Sequence, residues 1–217
     1  MTHRVHPYSF RLGQTRDWKS RWFDMRNYRK FLKADVTLRA YLEKRLAKMY
    51  ISKVEIERSP AVLRVIIYTS RPGLIIGRSG AGVNALKNEI EKLFSKKELL
   101  KPKDLQLVIE EVKNPETDAA IVAKMVAESL EKRLPFRRVL KQTITKVSSH
   151  REVSGIKVAL AGRLDGAEMS RREWLMHGQI PLQTIRADID FARVRAKLPY
   201  GDIGIKVWVY KGEVFEK

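Results

Sequence analysis

Not one cysteine occurs among the 217 residues. Disulfides and thiolate metal sites are therefore excluded, and the chain suits a reducing compartment. No stretch approaches the roughly 18 uninterrupted apolar residues that a membrane-spanning helix needs. The first residues lack an apolar core and are studded with Arg, Lys and Trp, so no signal peptide is expected. Only four histidines are present, His3, His6, His150 and His177, and their spacing fits no zinc motif. A Walker-type phosphate loop and a nucleophile elbow are both missing. Acids are scarce as well, with 25 Asp and Glu against 44 Lys and Arg and a formal charge of +19.

What is present points to a polyanion. Hydrophobic residues make up 44% of the chain, enough for real cores. A folded protein this basic either tolerates its own repulsion or sits beside nucleic acid, with an anionic membrane surface as the lesser option. Residues 1–34 form a basic, aromatic N-terminal arm, with nine Lys or Arg against two acids. Tyr8, Phe10, Trp18, Trp22, Phe23, Tyr28 and Phe31 interleave those charges. Most of these rings are expected to pack the arm onto the next domain, leaving its Arg and Lys to meet RNA.

From residue 35 the periodicity becomes regular. Asp35 reads as the cap of a helix to Met49, with Leu38, Leu42 and Leu46 on one face. Val54 and Ile56, then Val62 to Ile67, read as two strands joined at Ser59-Pro60. A short apolar helix, Leu74-Ile75-Ile76, leads into Gly77-Arg78-Ser79-Gly80. A longer helix from Ala81 to Phe94 follows, and then a strand through Leu105, Leu107 and Ile109. Asn114-Pro115 marks a boundary. Beyond it the pattern predicts helices over 118–133 and 135–149, with Pro135 in the first turn. Strands are expected at 156–160, 173–179, 187–192 and 204–210.

The order helix, strand, strand, short helix, GxxG, helix, strand resembles a type II KH domain, here residues 35–113. In such a loop the glycines let the backbone approach a phosphate, and the next helix offers free N–H groups and its positive end. Gly77, Arg78, Ser79 and Gly80 are the expected grip, with Arg78 a fork for phosphate and Ser79 a hydroxyl donor. A bland alternative is that the glycines merely make a tight turn between helices.

A second basic cluster comprises Lys132, Arg133, Arg137, Arg138, Lys141, Lys146 and Arg151. The sequence between Glu131 and Glu152 contains no acid. Arg137, Arg138 and Lys141 share one broad side of the predicted helix, so their repulsion suits a phosphate chain lying across them. Arg163, Arg171 and Arg172 flank a tight glycine-containing segment and are further candidate RNA contacts. Asp188 and Asp190 would face one side of a strand, but Arg186 and Arg193 beside them favour structural ion pairs over metal or acid–base chemistry.

Taken together, these segments resemble the bacterial family of small ribosomal subunit protein three. Val5-His6-Pro7, Arg11-Leu12-Gly13, Arg71-Pro72-Gly73 and the GxxG loop carry the likeness. So do Phe136-Arg137-Arg138, Gly162-Arg163-Leu164, Gly166-Ala167-Glu168, Arg186 to Asp190, and Gly201 to Gly212. The resemblance implies an α+β fold, an N-terminal type II KH domain followed by a two-helix, four-stranded-sheet domain over 114–217. It implies a structural place in the small-subunit head in the cytoplasm, binding ribosomal RNA and touching ribosomal proteins ten and fourteen. It also implies that Arg137, Arg138 and Lys141 line the mRNA entry channel and help unwind incoming mRNA. No cofactor, metal, membrane or small-molecule substrate is expected. A free-standing KH protein would share the loop but leaves the arm and second domain unexplained. An enzyme would need a carboxylate cluster or phosphate loop that the sequence lacks.

Overall fold

The structure, a computed structural model, describes residues 5–59, 62–97 and 104–215. Its first half runs α1 (Pro7–Phe10), β1 (Ser20–Arg21), α2 (Tyr28–Arg45), β2 (Ile51–Arg58), β3 (Val62–Thr69), α3 (Pro72–Ile76), α4 (Ala81–Lys96) and β4 (Asp104–Glu111). The second half runs α5 (Ala119–Glu131), α6 (Phe136–Ser148), β5 (Gly155–Gly162), β6 (Arg171–Gly178), β7 (Ala187–Leu198) and β8 (Gly201–Glu213). Pro60, expected in the β2–β3 turn, lies outside the described residues. Contacts divide the chain into Trp18–Lys113 and a second unit, Met1–Asp17 with Asn114–Lys217.

In the first unit, β2 and β3 pair antiparallel while β4 adds parallel to β3, giving the sheet order β1-β2-β3-β4. Leu38 and Leu42 from α2 and Leu86, Ile90 and Phe94 from α4 bury against Ile56, Leu63, Val65 and Ile67 of the sheet. Each such side chain contributes roughly 1.5–3 kcal/mol when removed from water. Helix α2 starts at Tyr28, not at Asp35. Asp35 is buried within the helix, where it accepts hydrogen bonds from Trp22 Nε1 (2.8 Å) and Arg58 Nε (2.9 Å). The sequence pattern marks Asp as a cap because Asp prefers caps. Here a buried guanidinium from β2 compensates the carboxylate instead.

In the second unit the antiparallel sheet has the order β6-β5-β8-β7. Alternate residues Ile156, Val158 and Leu160 of β5, with Ile203, Ile205, Val207 and Val209 of β8, pack on α5 and α6. Helix α5 is apolar on most of its circumference because the sheet and α6 sandwich it. Two carboxylates hold its N-terminus: Asp118 accepts from Ala120 and Ile121 N–H, and Asp190 accepts from Ala119 N–H at 2.8 Å. Pro135 stands one residue ahead of α6, at the cap, not in its first turn.

The arm departs most from expectation. Its first part belongs with the second unit and its remainder with the first. Helix α1 lies on β7, and His6 meets Phe191 edge-on at 4.8 Å. Arg11 is completely buried. Its guanidinium donates to the carbonyls of Ala187 (2.7 Å), Thr184 (2.8 Å), Pro7 (3.1 Å), Leu182 (3.1 Å) and Pro181 (3.4 Å). Arg16 pairs with Asp188 at 2.6 Å, while Arg186 pairs with Glu213. The ion pairs expected of Asp188 and Asp190 with their strand neighbours are thus replaced by Arg16 and a helix N-terminus. Phe10, Trp18, Phe23 and Tyr28, by contrast, are exposed. These four rings stay on the surface, Tyr28 leaning on Trp22 at 5.3 Å, whereas Arg11 goes inside because a forked donor can satisfy several converging carbonyls.

Candidate nucleic-acid interface

The loop between α3 and α4 is built from backbone conformations that side chains disfavour. Gly77 has φ +70°, Ser79 +52° and Gly80 +78°. These turns expose Arg78 and Ser79 and set Gly80 ahead of α4, with no side chain capping that helix. Of the preceding apolar triplet only Ile75 is buried, while Leu74 and Ile76 stay on the surface. Exposed apolar side chains beside an open helix N-terminus can take bases and phosphate respectively.

Gly82 was not singled out from the sequence, yet it decides whether α3 and α4 can meet. A Cβ there would lie 2.3 Å from the Ile75 carbonyl oxygen and 2.9 Å from that of Ile76. The available signal was a third glycine two residues beyond the GxxG. Gly82→Ala gains about 1 kcal/mol of helix propensity but must push backbone apart, at about 1–3 kcal/mol. A lower melting temperature of the first unit, with weakened RNA binding, is the expected outcome in thermal scans and RNA titrations.

Several acids elsewhere in this unit, Asp35, Glu55, Glu57 and Glu89 among them, are occupied by its own bases. Glu89 accepts from Arg45 and Tyr41, and the Arg45 hydrogen bond holds its carboxyl below the usual range. Glu55 takes Lys53 at 2.6 Å and lies beside Tyr68, whose phenol is pushed up to about 12 chiefly by burial.

In the second unit, Phe136, Val139, Leu140 and Val147 turn one side of α6 into the core. Arg137, Arg138 and Lys141 are left exposed on the rest. The sequence around this strip contains no acid, but the fold supplies one. Glu173 of β6 lies 3.9 Å from Arg137 and 3.7 Å from Arg171. Those two guanidiniums also flank the Phe136 ring, at 5.6 and 5.4 Å from its centroid. Arg138 and Lys141 have no ion pair among the described residues.

The remaining sequence candidates fall into different surroundings. Lys132 pairs with Glu128 one turn back at 2.7 Å, an exposed pair of small worth. Arg133 follows the Lys132 cap of α5 at φ +60°, where glycine is usual, its N–H bonded to the Leu130 carbonyl. Lys146 is exposed on the last turn of α6. Arg163 donates to the carbonyls of Ala167 (2.8 Å), Tyr200 (3.4 Å) and Gly166 (3.5 Å), so it ties its own turn together. Arg171 and Arg172, adjacent in sequence, point to opposite faces of the sheet. Arg171 joins the α6 strip, whereas Arg172 stands on the face away from the helices.

Among the described residues no three His, Asp or Glu side chains gather as a metal site. Nor, among them, is any helix long and apolar enough to cross a membrane.

Two family models match the chain: a KH domain over residues 37–117, and the C-terminal domain of ribosomal protein S3 over residues 126–209. Small ribosomal subunit protein uS3 of Magnetococcus marinus is 46% identical over 217 residues, covering all of both chains. That of Maridesulfovibrio salexigens is 45% identical over 216 residues, covering 100% of this chain and 98% of the relative. The Endomicrobium trichonymphae protein is 46% identical over 217 residues, covering 100% of this chain and 90% of the relative.

Proposed function

The chain belongs to the uS3 family of small ribosomal subunit proteins, and from that premise we propose that it binds small-subunit rRNA in the head and lines the mRNA entry channel. It is a structural protein of the ribosome and not an enzyme. The GxxG loop, with exposed Arg78 and Ser79, takes an RNA backbone. Arg137, Arg138 and Lys141 hold strands of incoming mRNA as translocation pulls the message through, without nucleotide hydrolysis by this chain. Lys132, Arg133, Lys146, Arg163, Arg171 and Arg172 add contacts to RNA. Ribosomal proteins ten and fourteen are the expected protein neighbours, read out by cross-linking in isolated subunits.

One observation carries the mRNA reading. Arg138 and Lys141 stand exposed on one side of α6, without an ion pair among the described residues, and Arg137 shares Glu173 with Arg171. Cations kept available in this way suit a ligand that arrives from outside and moves on. The triple variant Arg137→Ala, Arg138→Ala, Lys141→Ala should still assemble, because none of the three side chains enters the core. Translation through a stable mRNA duplex should slow several-fold while unstructured messages are unaffected. Loss of the variant from subunits would mean that the strip anchors rRNA instead.

The family-level role is tested by sucrose-gradient sedimentation of a lysate with mass-spectrometric detection. Stoichiometric migration with mature small subunits, persisting in moderately high salt, is the expected result. Confinement to immature particles or light fractions would favour an assembly factor or a free KH protein.

A further inference from the structure

The face of the second sheet that points away from α5 and α6 is only half covered. Helix α1 and the segment before β7 close the end holding Ile189, Phe191 and Trp208. Beyond them two rows of cross-strand neighbours remain open. One row is Trp174, Ala159, Lys206 and Arg193; the next is Arg172, Ala161, Gly204 and Arg195. Residues in register across a sheet share a face. The small residues Ala159, Ala161 and Gly204 therefore form the floor of a trough of about 260 Å³ between cationic walls.

Arg172, Arg193, Arg195 and Lys206 are all exposed. None of the four has an ion pair among the described residues. Arg193 and Lys206 stand directly opposite each other, an arrangement of like charges that weakens a sheet unless an anion lies between them. The nearest acids are engaged or peripheral. Asp190 and Glu173 face the helix side, and Asp202, on the trough's own face, lies one row beyond Gly204 and Arg195, opposite Lys197. At the other wall the Trp174 ring is 52% exposed, with Lys157 Nζ 4.4 Å from its centroid. A cationic trough with a small-residue floor and an exposed indole matches single-stranded nucleic acid, which needs phosphate neutralised and a surface for a base.

We propose that this open face is a separate RNA-binding platform, in which Arg172, Arg193, Arg195 and Lys206 hold the backbone of a single strand and Trp174 stacks on one of its bases. The proposal takes from the reading above that RNA is the ligand and shares one residue with it, Arg172. It uses neither the GxxG loop nor the α6 strip. Sequence reasoning picked out Arg172 but paired it with Arg171, read Arg193 only as a neighbour of Asp188 and Asp190, and did not single out Arg195; Arg172 and Lys206 lie too far from that pair in sequence to read as one cluster.

The test uses the full-length chain with a twelve-nucleotide oligoadenylate, titrated at several salt concentrations. To isolate the platform, it is repeated in an Arg78→Asp, Ser79→Asp background. Arg172→Gln, Arg193→Gln and Arg195→Gln together should lower the slope of log affinity against log salt by about 2. Trp174→Leu should weaken binding roughly tenfold with the slope unchanged, and should remove most of the tryptophan quenching. Circular dichroism checks that these surface variants fold. Unchanged affinity and slope in the triple Gln variant, while the loop variant alone abolishes binding, would overturn the platform and leave the loop reading intact. Failure of the wild-type chain to bind the oligonucleotide at all would overturn both. Normal RNA binding by the Gln variant, with loss of an acidic protein from isolated subunits, would assign the trough to that protein instead.

Discussion

Replacing Arg11 with methionine is expected to destabilise the second unit by about 4 kcal/mol, the scale of removing one member of a buried polar network. The guanidinium fills five carbonyl acceptors contributed by α1 and by the chain leading into β7. Methionine matches much of the volume but withdraws the shared donor from all five oxygens in a site closed to water, leaving Thr184 O its bond from Ala187 N–H at 3.3 Å. Burial draws the Arg11 guanidinium down from its ordinary value, with Asp188 opposing that effect, and the side chain remains charged at any physiological pH. Lysine should rescue little, since one ammonium cannot span acceptors arranged for a fork. Thermal unfolding should fall by roughly 10 °C or more for both variants. Retention of wild-type stability by Arg11→Lys would mean that the charge matters and the five-bond geometry does not. Because α1 is held through this residue, the variants should also release the N-terminal segment to early proteolysis.

The largest functional loss is expected from Arg78→Asp with Ser79→Asp, which should weaken RNA binding by the isolated protein about hundredfold, or roughly 3 kcal/mol. The substitution removes the one cation of the loop and places two carboxylates where a phosphate would lie. Both side chains are exposed, so the core is untouched. Ser79 sits at φ +52°, a conformation that Asp tolerates better than most residues, so the turn itself should survive. Filter binding or anisotropy with single-stranded RNA reads the loss, and circular dichroism checks the fold. Wild-type affinity in this variant would mean that the GxxG serves only as a helix–helix turn and that RNA is held elsewhere.

Most of the architecture was legible because it rests on local periodicity. The alternation in β5 and β8 and the three-to-four spacing in α4 and α6 each place one face in a core, whatever the rest of the chain does. The basic balance and the glycine loop pointed to RNA for the same reason: both are properties of composition or of a few contiguous residues. The errors fall where a residue's environment comes from distant chain. Asp35 looked like a cap until Arg58 arrived from β2. The arm's rings were expected inside and its charges outside, but the converging carbonyls near Ala187 drew Arg11 in.

The same division holds for the candidate sites. By itself the sequence determined the KH order, the two-helix and four-strand second domain and the excess of cations. Only the tertiary structure decided what surrounds each cation. It brought Glu173 against Arg137 and Arg171, closed Arg163 onto its own turn, and lined up Arg172, Arg193, Arg195 and Lys206 across three strand pairings. The physical reason is range. Side-chain direction along a strand or helix is set by neighbours in sequence, whereas ion pairing and burial depend on groups within a few ångströms in space, and that proximity exists only once the chain has folded.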